Sequence, residues 1–241
     1  MTAILQVRDL VAGYEPGLDI VRGCSIRADT QEIVVILGPN GAGKSSLIKA
    51  IAGLVPVTGG QVLLDGQDIT ATPAHLMVRR GLAFVPQTDN IFPLLTVEEN
   101  LRVAGGLPPR PESAPRIDPM FALFPDLARQ RRLPAGSLSG GQRQMLAVAR
   151  ALIVHPRVLM LDEPSAGLSP KFVEMVFARL AEIRRSGLTI VLVEQNAKAA
   201  LSIGDRAYVL VEGRAAHEGP ARSLWDDPVI AELYLGQRRA S

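Results

Sequence analysis

Four short apolar runs punctuate the chain, and polar residues follow closely on the C-terminal side of each. Ile33 to Leu37 leads into GPNGAGKS, Ala83 to Val85 into Pro86-Gln87, Val158 to Leu161 into Asp162-Glu163, and Thr189 to Val193 into Glu194-Gln195-Asn196. Continuous runs of β-branched and aliphatic residues, without period-two alternation, predict strands covered on both faces, as in a parallel sheet. Helical patterning lies between them, over Ser45 to Leu54, about Ser139 to Val154, and Pro170 to Ser186, the last stopped by Gly187. The carboxyl ends of parallel strands line one edge of a sheet, where ligands bind, so the four polar strand ends are expected to meet at one site.

Two regions fall outside this core. Ile4 to Asp9, Cys24 to Arg27, and Gln61 to Leu64 around Thr58-Gly59-Gly60 read as antiparallel strands and turns on the flank of the sheet. Residues from about 88 to 156 read as a helical insertion, interrupted by LPPRPESAPRIDP (Leu107 to Pro119), whose prolines argue against a regular helix. The expected architecture is an α/β P-loop NTPase (RecA-like) core with an antiparallel β flank and an inserted α-helical subdomain. It forms one domain over 1–241, with its core at about 1–87 and 157–241.

Composition narrows the class. A chain of 241 residues that is 47% hydrophobic can bury a sizeable core, which excludes a disordered protein. Its 26 basic and 24 acidic side chains are interspersed, so no nucleic-acid partner is expected. Cys24 is the only cysteine, which rules out an intramolecular disulfide framework and reads as a small buried hydrophobe. The first residues, MTAILQVRDL, lack the pattern of a signal peptide, and no apolar run approaches the ~20 residues needed to cross a bilayer. The expectation is a chain that does not itself span a membrane but can sit against one.

Candidate chemistry begins at Gly38 to Ser45, which matches GxxxxGK[ST] between a strand and a helix. Gly38, Gly41 and Gly43 let the backbone curl so that N–H groups point at phosphate oxygens, and the helix start adds its positive dipole end. Pro39, Asn40, Ala42 and Ser46 complete the cradle. Lys44 carries a charge to the β- and γ-phosphates of ATP, and the Ser45 hydroxyl is a ligand for Mg²⁺. In LMLDEP, Asp162 is placed to hold Mg²⁺ through water and Glu163 to act as general base on the attacking water. Gln87 follows a strand and Pro86, within reach of Mg²⁺ or that water, although a turn glutamine would look the same. Tyr14, in VAGYEPG, has a ring that can stack on adenine or sit at the edge of the core.

LSGGQRQMLAVARAL, from Leu138 to Leu152, opens with Ser139 as an N-cap and two glycines that permit close approach to a helix start. It resembles the signature motif of ATP-binding cassette (ABC) ATPases, and it stands upstream of LMLDEP as in that family. The resemblance implies a head-to-tail dimer in which Leu138, Ser139, Gly140, Gly141 and Gln142 of one chain close over ATP held by the other. It also implies a peripheral subunit on the cytoplasmic face of a membrane, driving separate permease subunits through a groove at about Gln87 to Leu101. Ile91, Phe92, Leu94 and Leu95 are the apolar residues expected there, either as contact patch or as packing under the insertion.

TVEENL (Thr96 to Leu101), LFPDLARQRRLPAGSLSGGQRQMLAVARAL, LVEQNAKAAL, DRAYVLVEGR and LYLG (Leu233 to Gly236) resemble the ATPase subunit of branched-chain amino acid importers. Urea and short-chain amide importers have closely similar cassettes. The branched-chain resemblance favours pairing with a second, different cassette over a homodimer, and implies an extracytoplasmic solute-binding protein as an indirect partner. The insertion departs from the pattern, because GGLPPRPESAPRIDPM is shorter and richer in proline than the family's helical stretch.

Two rival readings remain. A soluble cassette acting on DNA or the ribosome would usually carry tandem cassettes, coiled coils or zinc insertions, none of which is present. A regulatory subunit that binds ATP without hydrolysing it would have no need of Glu163.

One position departs from the general cassette pattern. Most cassettes have a histidine just after the strand that follows LDEP, where it hydrogen-bonds the γ-phosphate; that place falls on Gln195 here. His75, His155 and His217 lie in unrelated segments and read as surface or packing residues. The polar trio Glu194-Gln195-Asn196 is therefore expected to face the nucleotide, with Gln195 offering a neutral amide, a slower site, and an unequal pair with a partner that carries the histidine.

Overall fold

The computed structural model describes residues 3–106 and 112–225. Residues 233–236, which carry part of the family resemblance, and 107–111 of the proline-rich stretch lie outside the described residues. The first part of the chain runs β1 (Ala3–Ala12), β2 (Val21–Asp29), β3 (Ile33–Leu37), α1 (Lys44–Ile51), β4 (Val57–Leu64), β5 (Gln67–Asp68), α2 (Ala74–Arg80) and β6 (Leu82–Val85). The helical subdomain follows as α3 (Val97–Ala104), α4 (Ala114–Leu123), α5 (Pro125–Arg129), a 3-10 turn at Ala135–Ser137 and α6 (Gly140–Leu152). The chain then returns through β7 (Val158–Asp162), α7 (Pro170–Arg185), β8 (Thr189–Val193), α8 (Ala197–Ile203), β9 (Arg206–Val211), β10 (Arg214–Pro220) and α9 (Ala221–Trp225).

The main sheet has the order β10-β9-β3-β8-β7-β6, parallel except for β10 at its edge. Each inner strand sends alternate residues to opposite faces, so both faces must be apolar. In β3, Ile33, Val35 and Leu37 join the core shared with the helical subdomain, while Val34 and Ile36 join the core under α1 and the flanking sheet. β7 and β8 divide in the same way, with Leu159, Leu161, Ile190 and Leu192 on the first side and Val158, Met160, Val191 and Val193 on the second. This two-sided cover is why the four apolar runs are unbroken. β3, β8, β7 and β6 are consecutive neighbours, so their carboxyl ends lie side by side.

The flanking sheet is antiparallel with the order β2-β1-β4-β5. Thr58, Gly59 and Gly60, expected as a turn, are part of β4. β9 and β10 form a hairpin that extends the main sheet beyond the four strands read from the apolar runs.

The proline-rich stretch corrects an expectation: from Ala114 onward it is helix, not loop. Pro115 lies in the first turn, where a backbone N–H has no intrahelical acceptor, so the ring costs nothing there. Pro119 forfeits one helical bond, and burial of Ile117, Met120 and Phe121 on the same helix offsets that loss. From within α3, the Asn100 side chain accepts from Phe92 N (2.8 Å) and donates to Phe92 O (2.9 Å) and Thr96 O (3.0 Å), which shapes the connection from β6. As a result Phe92 and Leu94 stand exposed, whereas Ile91 packs partly on the core and Leu95 is half-buried.

Candidate active site

The loop after β3 turns back on itself because Gly38 and Gly43 take positive φ values of 152° and 94°. A Cβ at Gly38 would lie 2.4 Å from Leu210 O, so no larger residue fits. Gly43 is the N-cap of α1 and supplies no side chain to its first N–H groups, which are left for an anionic ligand. Lys44 is buried at 5% exposure, and its Nζ donates to Gly38 O (2.8 Å) and Pro39 O (3.1 Å). Burial pushes its pKa down, and the carboxylates of Glu163, Asp162 and Glu194 oppose that. Pro39, Asn40 and Gly41 are exposed, while Ala42 and Ser46 are buried.

Ser45 faces the end of β7, donating from Oγ to Asp162 Oδ1 at 2.8 Å. Burial raises the pKa of Asp162, and the Ser45 hydroxyl partly offsets that rise. Glu163 is 8% exposed and takes φ 48°, an uncommon backbone for a residue with a side chain. Its N–H donates to Val193 O at 2.9 Å, and its carboxylate receives two amides. Gln195 Nε2 reaches both oxygens at 2.8 and 2.9 Å, and Gln87 Nε2 reaches Oε2 at 3.0 Å. A carboxylate can only accept, which fixes the orientation of both amides.

The structure thus gathers Lys44, Ser45, Asp162, Glu163, Gln87 and Gln195 at four adjacent strand ends. The trio at the end of β8 does not face that space as a unit. Gln195 turns to Glu163, Asn196 caps α8 by accepting from Ala199 N (3.2 Å), and Glu194 points inward. Glu194 is 1% exposed and holds Ser165, a residue the sequence reading did not single out. The signal for Glu194 is its phase, since alternation along β8 carries Ile190 and Leu192 to the helical-subdomain face and Glu194 with them. Burial pushes the Glu194 pKa up, and hydrogen bonds from Ser165, Asn196 and Gln195 act against it.

Tyr14 lies apart from this cluster. It is 53% exposed and shares with Gly41, Arg22 and Arg214 the wall of an open cleft of about 1200 Å³. The signature residues are also apart. Ser139 caps α6 in a capping box, with Ser139 Oγ accepting from Gln142 N (3.3 Å) and Gln142 Oε1 accepting from Ser139 N (3.0 Å). Among the described residues no hydrogen bond joins 138–142 to 38–46. Gly140 and Gly141 instead sit tightly against Leu168 and Phe172. His75, His155 and His217 are exposed and belong to none of these groups.

Oxygen donors dominate where a cation would lie, and among the described residues no group of three or more His, Cys, Asp or Glu forms a cage. This set suits a hard cation that shares its shell with substrate phosphates and water, as Mg²⁺ does. Among the described residues, no helix is long and apolar enough to cross a membrane.

Comparison with known proteins places this geometry. Residues 21–166 match the ABC transporter family model. The chain is 46% identical over 234 residues to the probable branched-chain amino acid transport ATP-binding protein LivF of Archaeoglobus fulgidus, covering 97% of this chain and 99% of the relative. It is 34% identical over 239 residues to the lipopolysaccharide export system ATP-binding protein LptB of Acidithiobacillus ferridurans, covering 99% of both. Among solved structures, the ADP conformation of MJ1267, an ATP-binding cassette of an ABC transporter, superposes with a TM-score of 0.89 at 27% identity, covering 98% of this chain and all of that one. The chain belongs to the ABC transporter family, as one of its nucleotide-binding ATPase cassettes.

Proposed function

We propose that this cassette powers the uptake of branched-chain or other hydrophobic amino acids through separate permease subunits at the cytoplasmic face of a membrane. The observation that carries the substrate class is the 46% identity to LivF over nearly the whole chain, against 34% to LptB. Export of a lipopolysaccharide-like lipid is the second reading, favoured by the LptB relative. A urea or short-chain amide importer would use the same chemistry.

The roles follow from the cluster. ATP lies with its phosphates in the loop from Gly38 to Ser46, its base beside Tyr14. Lys44, released from Gly38 O and Pro39 O, meets the β- and γ-phosphates. Ser45, Asp162 and Gln87 would hold Mg²⁺, which when bound screens the phosphate charge. Glu163 takes a proton from water as its oxygen attacks the γ-phosphorus and the bond to the β-phosphate oxygen breaks, giving ADP and phosphate. Leu138 to Gln142 of a second cassette close over the γ-phosphate, so catalysis takes two chains. Phe92 and Leu94, exposed a few residues beyond Gln87 along the chain, fit a permease contact.

The test is ATP hydrolysis by the cassette reconstituted with candidate permeases in vesicles. Stimulation by leucine-loaded binding protein is expected. Stimulation only by a lipid substrate would replace import with export, and absence of any phosphate release would refute the ATPase role. Glu163→Gln is expected to accumulate ATP-bound dimers on size exclusion, since an amide cannot take the proton.

A further inference from the structure

Glu194 is a buried carboxylate with no ion-pair partner among the described residues, held instead by four hydrogen bonds. Ser165 N donates to Oε1 at 2.9 Å, and Ser165 Oγ (2.9 Å), Gln195 N (3.2 Å) and Asn196 N (3.4 Å) donate to Oε2. Lys44 acts on this carboxylate through space but forms no ion pair with it, so its burial is costly, and an apolar residue would close the end of β8 at lower cost. What the carboxylate provides is a fixed relation between two loops. One loop leaves β7 through Glu163 to Ser165, and the other leaves β8 through Gln195.

Both loops reach the site. Gln195 carries the amide that spans the Glu163 carboxylate, so the bond from Gln195 N to Glu194 sets where that amide starts. The loop beyond Ser165 runs on to Leu168 and Phe172. There a Cβ on Gly140 would lie 3.2 Å from Leu168 Cδ2, and one on Gly141 would lie 2.5 Å from Phe172 Cδ1. Such close contact leaves the start of α6 little freedom relative to this loop. A continuous packed path therefore runs from the end of β8, through Glu194 and Ser165, to the helix start that the proposed function presents to a second cassette.

We infer that Glu194 is a positioning residue for ATP hydrolysis, tying the loop after β8 to the loop after β7 so that Gln195, Glu163 and the start of α6 hold one arrangement. This inference rests on the ATPase role proposed above. It predicts a loss in kcat with little change in KM, because the phosphate loop around Lys44 makes no hydrogen bond to Glu194, and the Glu194 charge acts on Lys44 less than those of Glu163 and Asp162.

The experiment compares the full-length wild type with Glu194→Gln, Ser165→Ala and the double variant, measuring kcat and KM for ATP in the presence of Mg²⁺, with melting temperatures alongside. Glutamine keeps the shape but turns an NH₂ group toward backbone donors, so kcat is expected to fall about tenfold with KM within about twofold. Ser165→Ala removes one donor and is expected to lower kcat about threefold, and the double variant should be no slower than Glu194→Gln alone. Glu194→Asp keeps the charge but falls short of Ser165, so it should not rescue. Unchanged kcat in Glu194→Gln, or losses that multiply in the double variant, would overturn the assignment. If Glu194→Gln does not fold, Ser165→Ala decides alone, with a kcat loss at constant KM supporting the role and an unchanged kcat refuting it. A wild type that turns over ATP beside an unaffected Glu194→Gln removes only the role of Glu194. A wild type without turnover removes the ATPase role as well.

Discussion

Gln195 spans both carboxylate oxygens of Glu163, at 2.8 and 2.9 Å, from the neighbouring strand end. The register of β7 and β8 makes this possible, because Asp162 pairs with Val193 and sets Glu163 and Glu194 level, with Gln195 one residue further on. Gln195 meets the proposed base itself, where the sequence reading expected it on a γ-phosphate. Together with Gln87 it satisfies the carboxylate, so an attacking water must compete with the amides for the Glu163 oxygens, and a phosphate must compete with the carboxylate for the amides.

Gln195→Glu places a second carboxylate where the amide now donates. Two carboxylates about 3 Å apart repel, so Glu163 is pushed from the place where the amides hold it. A displaced base is a poorer proton acceptor, so kcat at neutral pH should fall at least about tenfold with little change in KM for ATP. An unchanged kcat would show that Gln195 leaves Glu163 during turnover.

Gln195→His tests the unequal-pair idea. Imidazole can carry a proton near neutral pH, which an amide cannot, and a hydrogen bond to a charged group is worth about 1.5 to 3 kcal/mol. Turnover at this site is expected to rise by roughly tenfold in single-turnover phosphate release. An unchanged rate would locate any asymmetry of the pair elsewhere.

Ser45→Ala removes the hydroxyl that now donates to Asp162. If that hydroxyl is a Mg²⁺ ligand, the affinity for ATP in the presence of Mg²⁺ should fall roughly tenfold, while affinity in the presence of a chelator stays unchanged. Titration with a fluorescent ATP analogue under both conditions separates the two. Equal losses would make Ser45 a phosphate contact alone.

Cys24 lies in β2 without solvent exposure, and burial raises its pKa from 9.0 to about 11. A raised folded-state pKa contributes stability that is fully present below the unfolded value and is lost as pH climbs through the folded value. Wild-type stability should therefore decline relative to Cys24→Ala between about pH 9 and pH 11, measured by urea unfolding. At pH 8 the native thiol should react with a thiol reagent at least about a hundredfold more slowly than the unfolded chain.

The four central strands and their polar ends were legible in the sequence because cover on both faces leaves unbroken apolar runs, and Gly38, Gln87, Glu163 and Gln195 follow them within two residues. The β9–β10 hairpin was not legible as strands, since β10 (RAAHEGP) is mostly exposed and has no apolar alternation to read. Helix α4 was misread because the packing of Ile117, Met120 and Phe121 outweighs its two prolines, a tertiary effect that local propensity does not contain. Glu194 was read as facing the nucleotide because its neighbours are polar, although its phase along β8 pointed inward. Whether Gln195 meets a phosphate or Glu163 depends on the register between two strands far apart in sequence.

Gly141 joins stability to the proposed dimer. A Cβ there would lie 2.5 Å from Phe172 Cδ1, so Gly141→Ala must push α6 away from α7 or move the ring. Overpacking of this kind costs about 1–3 kcal/mol, partly offset by about 1 kcal/mol of helix propensity gained over glycine. Net destabilisation should be small in urea unfolding, and ATP affinity of the monomer should stay the same because α1 is untouched. The larger effect is expected on association: in a Glu163→Gln background, Gly141→Ala should weaken the ATP-driven dimer, because the start of α6 no longer presents Ser139 at its native position. Adding Phe172→Ala removes the Cγ and Cδ1 that the methyl would meet at 2.9 and 2.5 Å, leaving Cβ at 3.2 Å, and should restore the dimer on size exclusion. Restoration would tie the loss to the contact between Gly141 and Phe172, while a loss that persists would mean that the methyl itself blocks the second chain.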